Sequence, residues 1–393
     1  MLILAQSRGN GARYNRAMPE TASLALLGGL TPAAFLRRHW QKRALLVRQA
    51  IPDFRGCLTV SQLIALAARD DVESRIVLRE QGRWSTLEGP FRKSAFKELP
   101  GKGWTLLVHG VNLHLTSADA LLRRFAFIPY ARLDDLMVSH AVPGGGVGAH
   151  FDSYDVFLLQ GEGRRRWSVS RQRDLALRRG LSLKILARFR PGDRWTLDPG
   201  DMLYLPPNHA HEGVAVDPCT TYSIGFRAPT AQELGTAFLD WLRDNMTLDG
   251  RYADPDLAVA DEPARIGARM QAACAAMLAA IRWDPATIAR FVGCYLTEPK
   301  PHVIFDRPQR PAALRRFAFT ARRRGLRLDR RTQILYDGRN VYVNGASVAW
   351  PRGTAKVLKG LANRRCIAGR DLNGATEIRV LHEWYCDGFI DFD

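Results

Sequence analysis

The spacing of hydrophobic and polar positions changes twice along the chain. Thr31-Pro32 reads as a helix start, with threonine as the N-terminal cap and proline at the first helical position. The helix it opens runs through Ala33 to about His39 and leads into the apolar stretch Ala44-Leu45-Leu46-Val47. From Leu106 to Phe226 the pattern shifts to short apolar or alternating runs, among them Asp152–Leu159, Trp167–Ser170, Met202–Leu205 and Tyr222–Phe226. Gly144-Gly145-Gly146, Gly161-Glu162-Gly163 and Pro199-Gly200 punctuate these runs. Many short strands between such turns predict a sandwich or small barrel. Helical spacing then returns. Thr230 with Glu233 forms a capping box that opens a helix to about Asn245. Asp261 and Pro263 start a second helix, with Ile266, Met270, Cys274, Met277 and Ile281 at three- and four-residue intervals. Asp284-Pro285 starts a third, ending near Leu296, and Pro299 and Pro301 mark a linker. The last segment carries Asp337-Gly338 and Asn344-Gly345, both type I′ hairpin signals, between Ile334–Tyr336, Val341–Val343 and Ser347–Trp350.

A chain of 393 residues can bury a substantial core and favours more than one domain. No run approaches the 18 or so apolar residues of a membrane span. The opening MLILAQSRGNGARYNRAM turns from apolar to basic too soon for a signal-peptide core and reads as a flexible leader over residues 1–30 or a misassigned start. The six cysteines are scattered, without a C-x-x-C pair, which fits reduced thiols in a cytoplasm and argues against structural zinc. Charge changes the picture more. Between Arg307 and Arg370 stand 17 Lys and Arg against Asp329 and Asp337 alone, a net +15 of the chain's +18. A basic excess confined to one segment suggests a nucleic-acid contact by that module rather than by the whole chain.

His150-Phe151-Asp152 is the one H-x-D in the chain. It opens a predicted strand, where residues two apart point to one face, so both side chains can reach one point. A third ligand from a distant strand would complete the two-His-one-carboxylate triad that leaves open positions on Fe(II). Candidates lie about 60 residues on, in Pro206-Pro207-Asn208-His209-Ala210-His211-Glu212-Gly213. Spacing does not separate His209 from His211, and a lone loop histidine is more often solvent-exposed than metal-bound. Arg165 is a second, independent signal. It falls on the same face of its strand as Trp167 and Val169, the inward face. A buried guanidinium needs an anion, and a bidentate carboxylate would serve; the plain alternative is a surface basic triplet.

Long strings around these residues resemble the JmjC-type bacterial ribosomal oxygenases, most of all those that hydroxylate an arginine of ribosomal protein L-sixteen. They are the stretch from Val142 to Phe157, Gln160-Gly161-Glu162-Gly163-Arg164-Arg165-Arg166-Trp167, and His211-Glu212-Gly213. His39-Trp40-Gln41-Lys42-Arg43 and the stretch from Ser223 to Pro229 match as well. The resemblance implies an α+β chain: a double-stranded β-helix (cupin) barrel, a helical dimerisation region and a C-terminal winged-helix-like module. The expected bounds are 31–116 for an α/β region packing on the barrel, 117–229 for the barrel, 230–298 for the helices and 299–393 for the last module. It also implies His150, Asp152 and His211 as catalytic Fe(II) ligands, and Arg165, helped by Ser139, as the clamp on the cosubstrate 2-oxoglutarate, with O2 as the oxidant. Asp135, Met137, Tyr154 and Ser223 are implied to line the pocket for the target side chain. Asp135 suits a guanidinium, on whose plane Tyr154 can stack. The implied product is a hydroxyarginine, C3 being the expected carbon, on a large-subunit ribosomal protein, made by a cytoplasmic homodimer.

Two features depart from the family. His209 stands near the metal site where an apolar or glycine-like residue is expected, and the last module is basic where the family's versions are often acidic. The second invites a contact with ribosomal RNA. Two other functions fit the same residues less well. One is the same chemistry on a His, Asn or Lys side chain of another protein, which would leave Asp135 unexplained in the neutral cases. The other is a non-catalytic cupin serving as an RNA-binding assembly adaptor, which would leave the triad and Arg165 without a purpose.

Overall fold

The computed structural model describes residues 22–351 and 353–393. Most of the expected leader lies outside them. Within its expected bounds, however, Leu26 and Leu27 are buried in the main core, so the packed structure begins before residue 30. Among the described residues no helix is long and apolar enough to cross a membrane, and the six cysteines are unbridged.

Up to Ala228 the chain forms two antiparallel sheets. The strands are β1 (Leu45–Val47), β2 (Ser74–Glu80), β3 (Arg83–Glu88), β4 (Trp104–Val108), β5 (Leu133–Ala141), β6 (Val156–Gln160), β7 (Arg165–Ser170), β8 (Asp193–Leu197), β9 (Met202–Leu205), β10 (Ala210–Ala215) and β11 (Cys219–Phe226). One sheet runs β1-β9-β6-β11-β5-β4-β2-β3 and the other β10-β7-β8. The N-terminal region therefore does not merely pack on the barrel. It extends the larger barrel sheet at both ends, β1 by pairing with β9 and β4 by pairing with β5.

Strand alternation explains why β6 and β9 read as unbroken apolar runs: both of their faces are buried. Val156 and Leu158 join Leu203 and Leu205 in a cluster shared with Trp167, Val169 and Leu197 of the facing sheet. Phe157, Leu159, Met202 and Tyr204 point the other way into the larger core. There α1 (Pro32–Arg38) lays Phe35 against Tyr204 and Phe157, at ring separations of 5.0 and 5.5 Å. Burying one such ring contributes about 1.5–3 kcal/mol. The N-terminus of α1 is as expected, Thr31 Oγ1 accepting from the Ala34 N–H. After α1, Gln41 ties the N-terminal region to the barrel: its N–H donates to the Tyr204 hydroxyl and its Nε2 to Asp155 Oδ2. Tyr204 in turn donates to Asp155 Oδ1. The fully buried Asp155 is thus satisfied from β9 and from the loop after α1.

The remainder divides in a way the expected bounds did not. One compact unit joins the barrel to residues 300–332 and 352–393; the other holds Pro229–Pro299 and Gln333–Pro351. Between the barrel strands lie α2 (Val60–Ala67), α3 (Val111–His114) and α4 (Thr116–Arg123). The second unit contains α5 (Ala231–Asp244), α6 (Ala268–Leu278), α7 (Pro285–Thr297) and the sheet β13 (Ile334–Tyr336), β14 (Asn340–Val343), β15 (Ala346–Ala349). Thr230 and Glu233 form the expected capping box of α5. Helix α6 starts at Ala268 rather than near Asp261, because Gly267 precedes it and no side chain caps an earlier turn. Helix α7, expected among the dimerisation helices, packs on the hairpin sheet so closely that a Cβ on Gly293 would lie 2.3 Å from the Tyr342 ring. Asn344-Gly345 is the expected two-residue turn, with φ of 47° and 87° joining Val343 to Ala346. The other turn is shifted by one residue: Asp337 bonds back to Asn340, and its carboxylate accepts the N–H groups of Arg339 and Asn340. Gly338-Arg339, not Asp337-Gly338, occupies the corner.

In the first unit, β12 (Leu326–Leu328) pairs with β16 (Cys366–Ile367) and β17 (Ile390–Phe392) beside α8 (Leu314–Arg324), α9 (Ala355–Arg364) and α10 (Ala375–Cys386). Arg365, buried and in the left-handed region, fixes this part by donating to the carbonyls of Thr332, Asp329 and Arg330.

Candidate metal centre and its cavity

His150 does not open a strand. It makes a single bridge with His211 of β10, each N–H donating to the other's carbonyl at 2.9 and 2.7 Å, and β6 begins only at Val156. The H-x-D pair therefore converges through pairing with a distant strand and not through alternation along its own. Both imidazoles are oriented from behind. Nδ1 of His150 donates to the Gly148 carbonyl at 2.9 Å and Nδ1 of His211 to the His209 carbonyl at 2.8 Å. A carbonyl can only accept, so both Nε2 lone pairs are left facing the site, the tautomer a metal needs. The rings are 4.2 Å apart, and His211 Nε2 lies 3.7 Å from Asp152 Oδ2. One ligand atom from each of His150, Asp152 and His211 falls within 4.8 Å of the others. Burial, with His150 alongside, lowers the His211 pKa to about 4, so it is neutral at physiological pH.

His209 is outside this cluster. It supplies its carbonyl to His211, while its own ring faces the Pro207 carbonyl and leaves Nε2 buried without a hydrogen bond. The glycine of His211-Glu212-Gly213 has a steric reason. A Cβ on Gly213 would lie 2.6 Å from the Trp167 ring, which stands 5.9 Å from that of His211.

The triad opens into a cavity of about 370 Å³. Arg165 lines it from the inward face of β7, 5% exposed, with neither Nε nor Nη2 hydrogen-bonded in this structure. Trp167 lies under its guanidinium, 5.8 Å from the ring centroid. A buried guanidinium without a carboxylate partner is costly, so the cavity is built for an anion. Ser139 and Thr221 line the same space. Two imidazoles, one carboxylate and a buried guanidinium in one pocket fit an iron(II) ion and a dicarboxylate cosubstrate.

The rest of the wall comes from adjacent strands. Asp135, Met137 and Ser139 of β5 line the cavity, as do Thr221, Ser223 and Gly225 of β11. The intervening Leu136, Val138, Tyr222 and Ile224 enter the core. Tyr154, 42% exposed, is on the rim. Asp135 is 8% exposed and accepts from the Gly110 N–H at 3.0 Å. Burial opposes its ionisation, but His109, Lys300 and that N–H outweigh it and hold the carboxyl below the usual range. Conversely, burial would lower the His109 and Lys300 pKa values, but the nearby carboxylates raise both. No local pattern marks His109 or Lys300 as part of this site. Their partners are 26 and 165 residues away, and only strand pairing and chain reversal bring them together.

The fold and site together define a JmjC-type barrel with a His-Asp-His cluster that could hold a metal ion. The JmjC domain family matches residues 120–234 and the ROXA-like winged helix residues 280–391. The chain is 33% identical over 353 residues to the Escherichia coli (strain K12) ribosomal protein uL16 3-hydroxylase, covering 87% of this chain and 91% of that protein. It is 30% identical over 211 residues to Rattus norvegicus ribosomal oxygenase 1, 49% of this chain and 34% of that one. The solved structure of the Escherichia coli ribosomal oxygenase YcfD in complex with cobalt and 2-oxoglutarate superposes with a TM-score of 0.77. It shares 31% identity and covers 93% of this chain and 98% of that chain. This chain belongs to the JmjC-type ribosomal oxygenases.

Proposed function

We propose that the chain is an Fe(II)- and 2-oxoglutarate-dependent oxygenase that hydroxylates an arginine, at C3, of a large-subunit ribosomal protein. The observation that carries this reading is the unpaired guanidinium of Arg165 in the same cavity as the triad. His150, Asp152 and His211 would hold the iron, while Arg165, with Ser139, would bind the far carboxylate of 2-oxoglutarate. Iron(II) with 2-oxoglutarate and O2 supplies the oxidant that converts C–H to C–OH, releasing succinate and CO2. The chain's own part is placement. Asp135 pairs the substrate guanidinium, Tyr154 covers its plane, and Met137 and Ser223 line its stem. Trp167, Val156 and Leu158 exclude water from the cavity. A neutral asparagine target would bring no cation to the ionised Asp135.

The test is mass spectrometry of ribosomal proteins incubated with the enzyme, Fe(II) and 2-oxoglutarate, with His211→Ala as control. A +16 Da shift on one arginine, absent with the variant, is expected. Turnover of 2-oxoglutarate without any such shift would discard the substrate and keep the chemistry. No turnover at all would favour the adaptor reading.

Two partners follow from surfaces. Helix α8 contains five arginines and no acidic residue. Arg315, Arg316, Arg322 and Arg323 share one face with Phe319, which is 68% exposed. Guanidinium groups around an exposed ring suit ribosomal RNA, through phosphate contacts and base stacking. Anisotropy titrations with a ribosomal RNA fragment should show affinity falling steeply with salt, and Arg315→Glu with Arg316→Glu and Arg323→Glu should remove most of it. Salt-insensitive binding, or none, would dismiss the contact. The second partner is another copy of the chain. Helix α6 buries no residue, and Met270, Met277 and Leu278 are exposed together with Ile266 and Trp283. Such apolar surface is expected to be covered. Light scattering should give a dimer, and Met270→Glu with Met277→Glu a monomer.

A further inference from the structure

The acidic pair at the cavity already has cations. Lys300, between Pro299 and Pro301, puts Nζ 3.5 Å from Asp134 Oδ1 and 3.8 Å from Asp135 Oδ2. Arg227 Nε is 3.6 Å from Asp134 Oδ1, and His109 Nδ1 is 3.8 Å from Asp135 Oδ2. Two carboxylates are thus matched by two full cations and an imidazole before any substrate arrives. A substrate guanidinium would be a surplus charge there unless one of these groups withdraws. Arg227 is packed close, its side chain 19% exposed, and His109 is on the β4–α3 connection. Lys300 is the mobile candidate. Its side chain is 35% exposed, its distances exceed the usual hydrogen-bond range, and it has a flexible four-carbon stem.

We propose that Lys300 is a displaceable placeholder for the substrate cation. This rests on the arginine reading above and adds how the site selects. Between turnovers the ammonium sits between Asp134 and Asp135. When substrate enters, the ammonium swings to solvent and a guanidinium takes its place. The exchange favours arginine because its planar fork can bond both oxygens of one carboxylate, whereas Lys300 is a point charge. A substrate lysine would replace one ammonium with another and gain nothing. Lys300 is therefore a specificity-determining residue that works through Asp134 and Asp135.

The test is calorimetric binding without oxygen, using enzyme loaded with Fe(II) and 2-oxoglutarate. The probes are a peptide carrying the modified arginine and its lysine counterpart. Lys300→Met and Lys300→Gln should both bind the arginine peptide about tenfold tighter than the parent, the partial exposure of Lys300 keeping the gain modest. The lysine peptide should become measurable with the variants alone. A gain on removal is diagnostic, because structural damage weakens binding. Unchanged or weaker binding by both variants, with the parent still binding and hydroxylating the arginine peptide, would overturn the placeholder and leave the substrate reading standing. If the parent neither binds nor hydroxylates that peptide, both fall.

Discussion

His211→Ala is expected to reduce hydroxylation by more than about 100-fold and to abolish stoichiometric iron binding, read by product mass and by metal content of the purified protein. Three observations set the size of the effect. The imidazole is 2% exposed and neutral, so it is committed to the site rather than to solvent. Its Nδ1 is fixed on the His209 carbonyl, which leaves Nε2 aimed at the same point as His150 and Asp152. Even groups that only orient a metal ligand are typically worth 10–100-fold in affinity or activity, so loss of the ligand itself should exceed that. An exposed loop histidine would leave the rate within about twofold. Activity and iron content near those of the parent would remove His211 from the triad.

Arg165→Met should raise the 2-oxoglutarate KM by at least about 30-fold. Truncating one partner of a buried, hydrogen-bonded charge pair costs about 2–5 kcal/mol, and each 1.4 kcal/mol is tenfold. The same change should act oppositely on the cosubstrate-free protein. There the guanidinium is buried beside Trp167 with Nε and Nη2 unbonded, and replacing such a charge with an apolar chain of similar volume is often neutral or stabilising. The variant should therefore melt no lower than the parent without 2-oxoglutarate. It should also lose the rise in Tm that binding gives the parent. A parent protein whose Tm ignores 2-oxoglutarate would contradict the assignment, and so would a variant with an unchanged KM.

Legibility in the sequence followed the range of the interactions. Local devices were readable: the Thr31 cap, the Thr230–Glu233 box and the Asn344-Gly345 turn each depend on residues within four positions of each other. So was the inward face of Arg165-Arg166-Trp167-Ser168-Val169, because period two survives in a strand buried on one side. The metal pair came out for a partly mistaken reason. His150 and Asp152 were expected to converge along a strand, whereas the bridge to His211 brings them together. Asp135 entered only through the resemblance; its carboxylate is held by the Gly110 N–H and Lys300, which no local pattern reveals. The leader and the start of α6 were misjudged at their ends, where a short apolar turn, Ala25–Leu27, and an uncapped helix give weak signals.

The eight-stranded sheet has a consequence for how this enzyme can be cut, copied or exchanged. Its central strands β5, β11, β6 and β9 are flanked on one side by β4-β2-β3 and on the other by β1, all from the first 108 residues. Severing the chain near residue 117 would not release a self-sufficient catalytic module. It would strip β5 and β9 of their outer partners and leave Asp155 without the Gln41 amide. The smallest heritable unit carrying this chemistry is therefore larger than the span of its ligands, and recombination that respects only the motif-bearing segment should yield chains that aggregate along two raw edges.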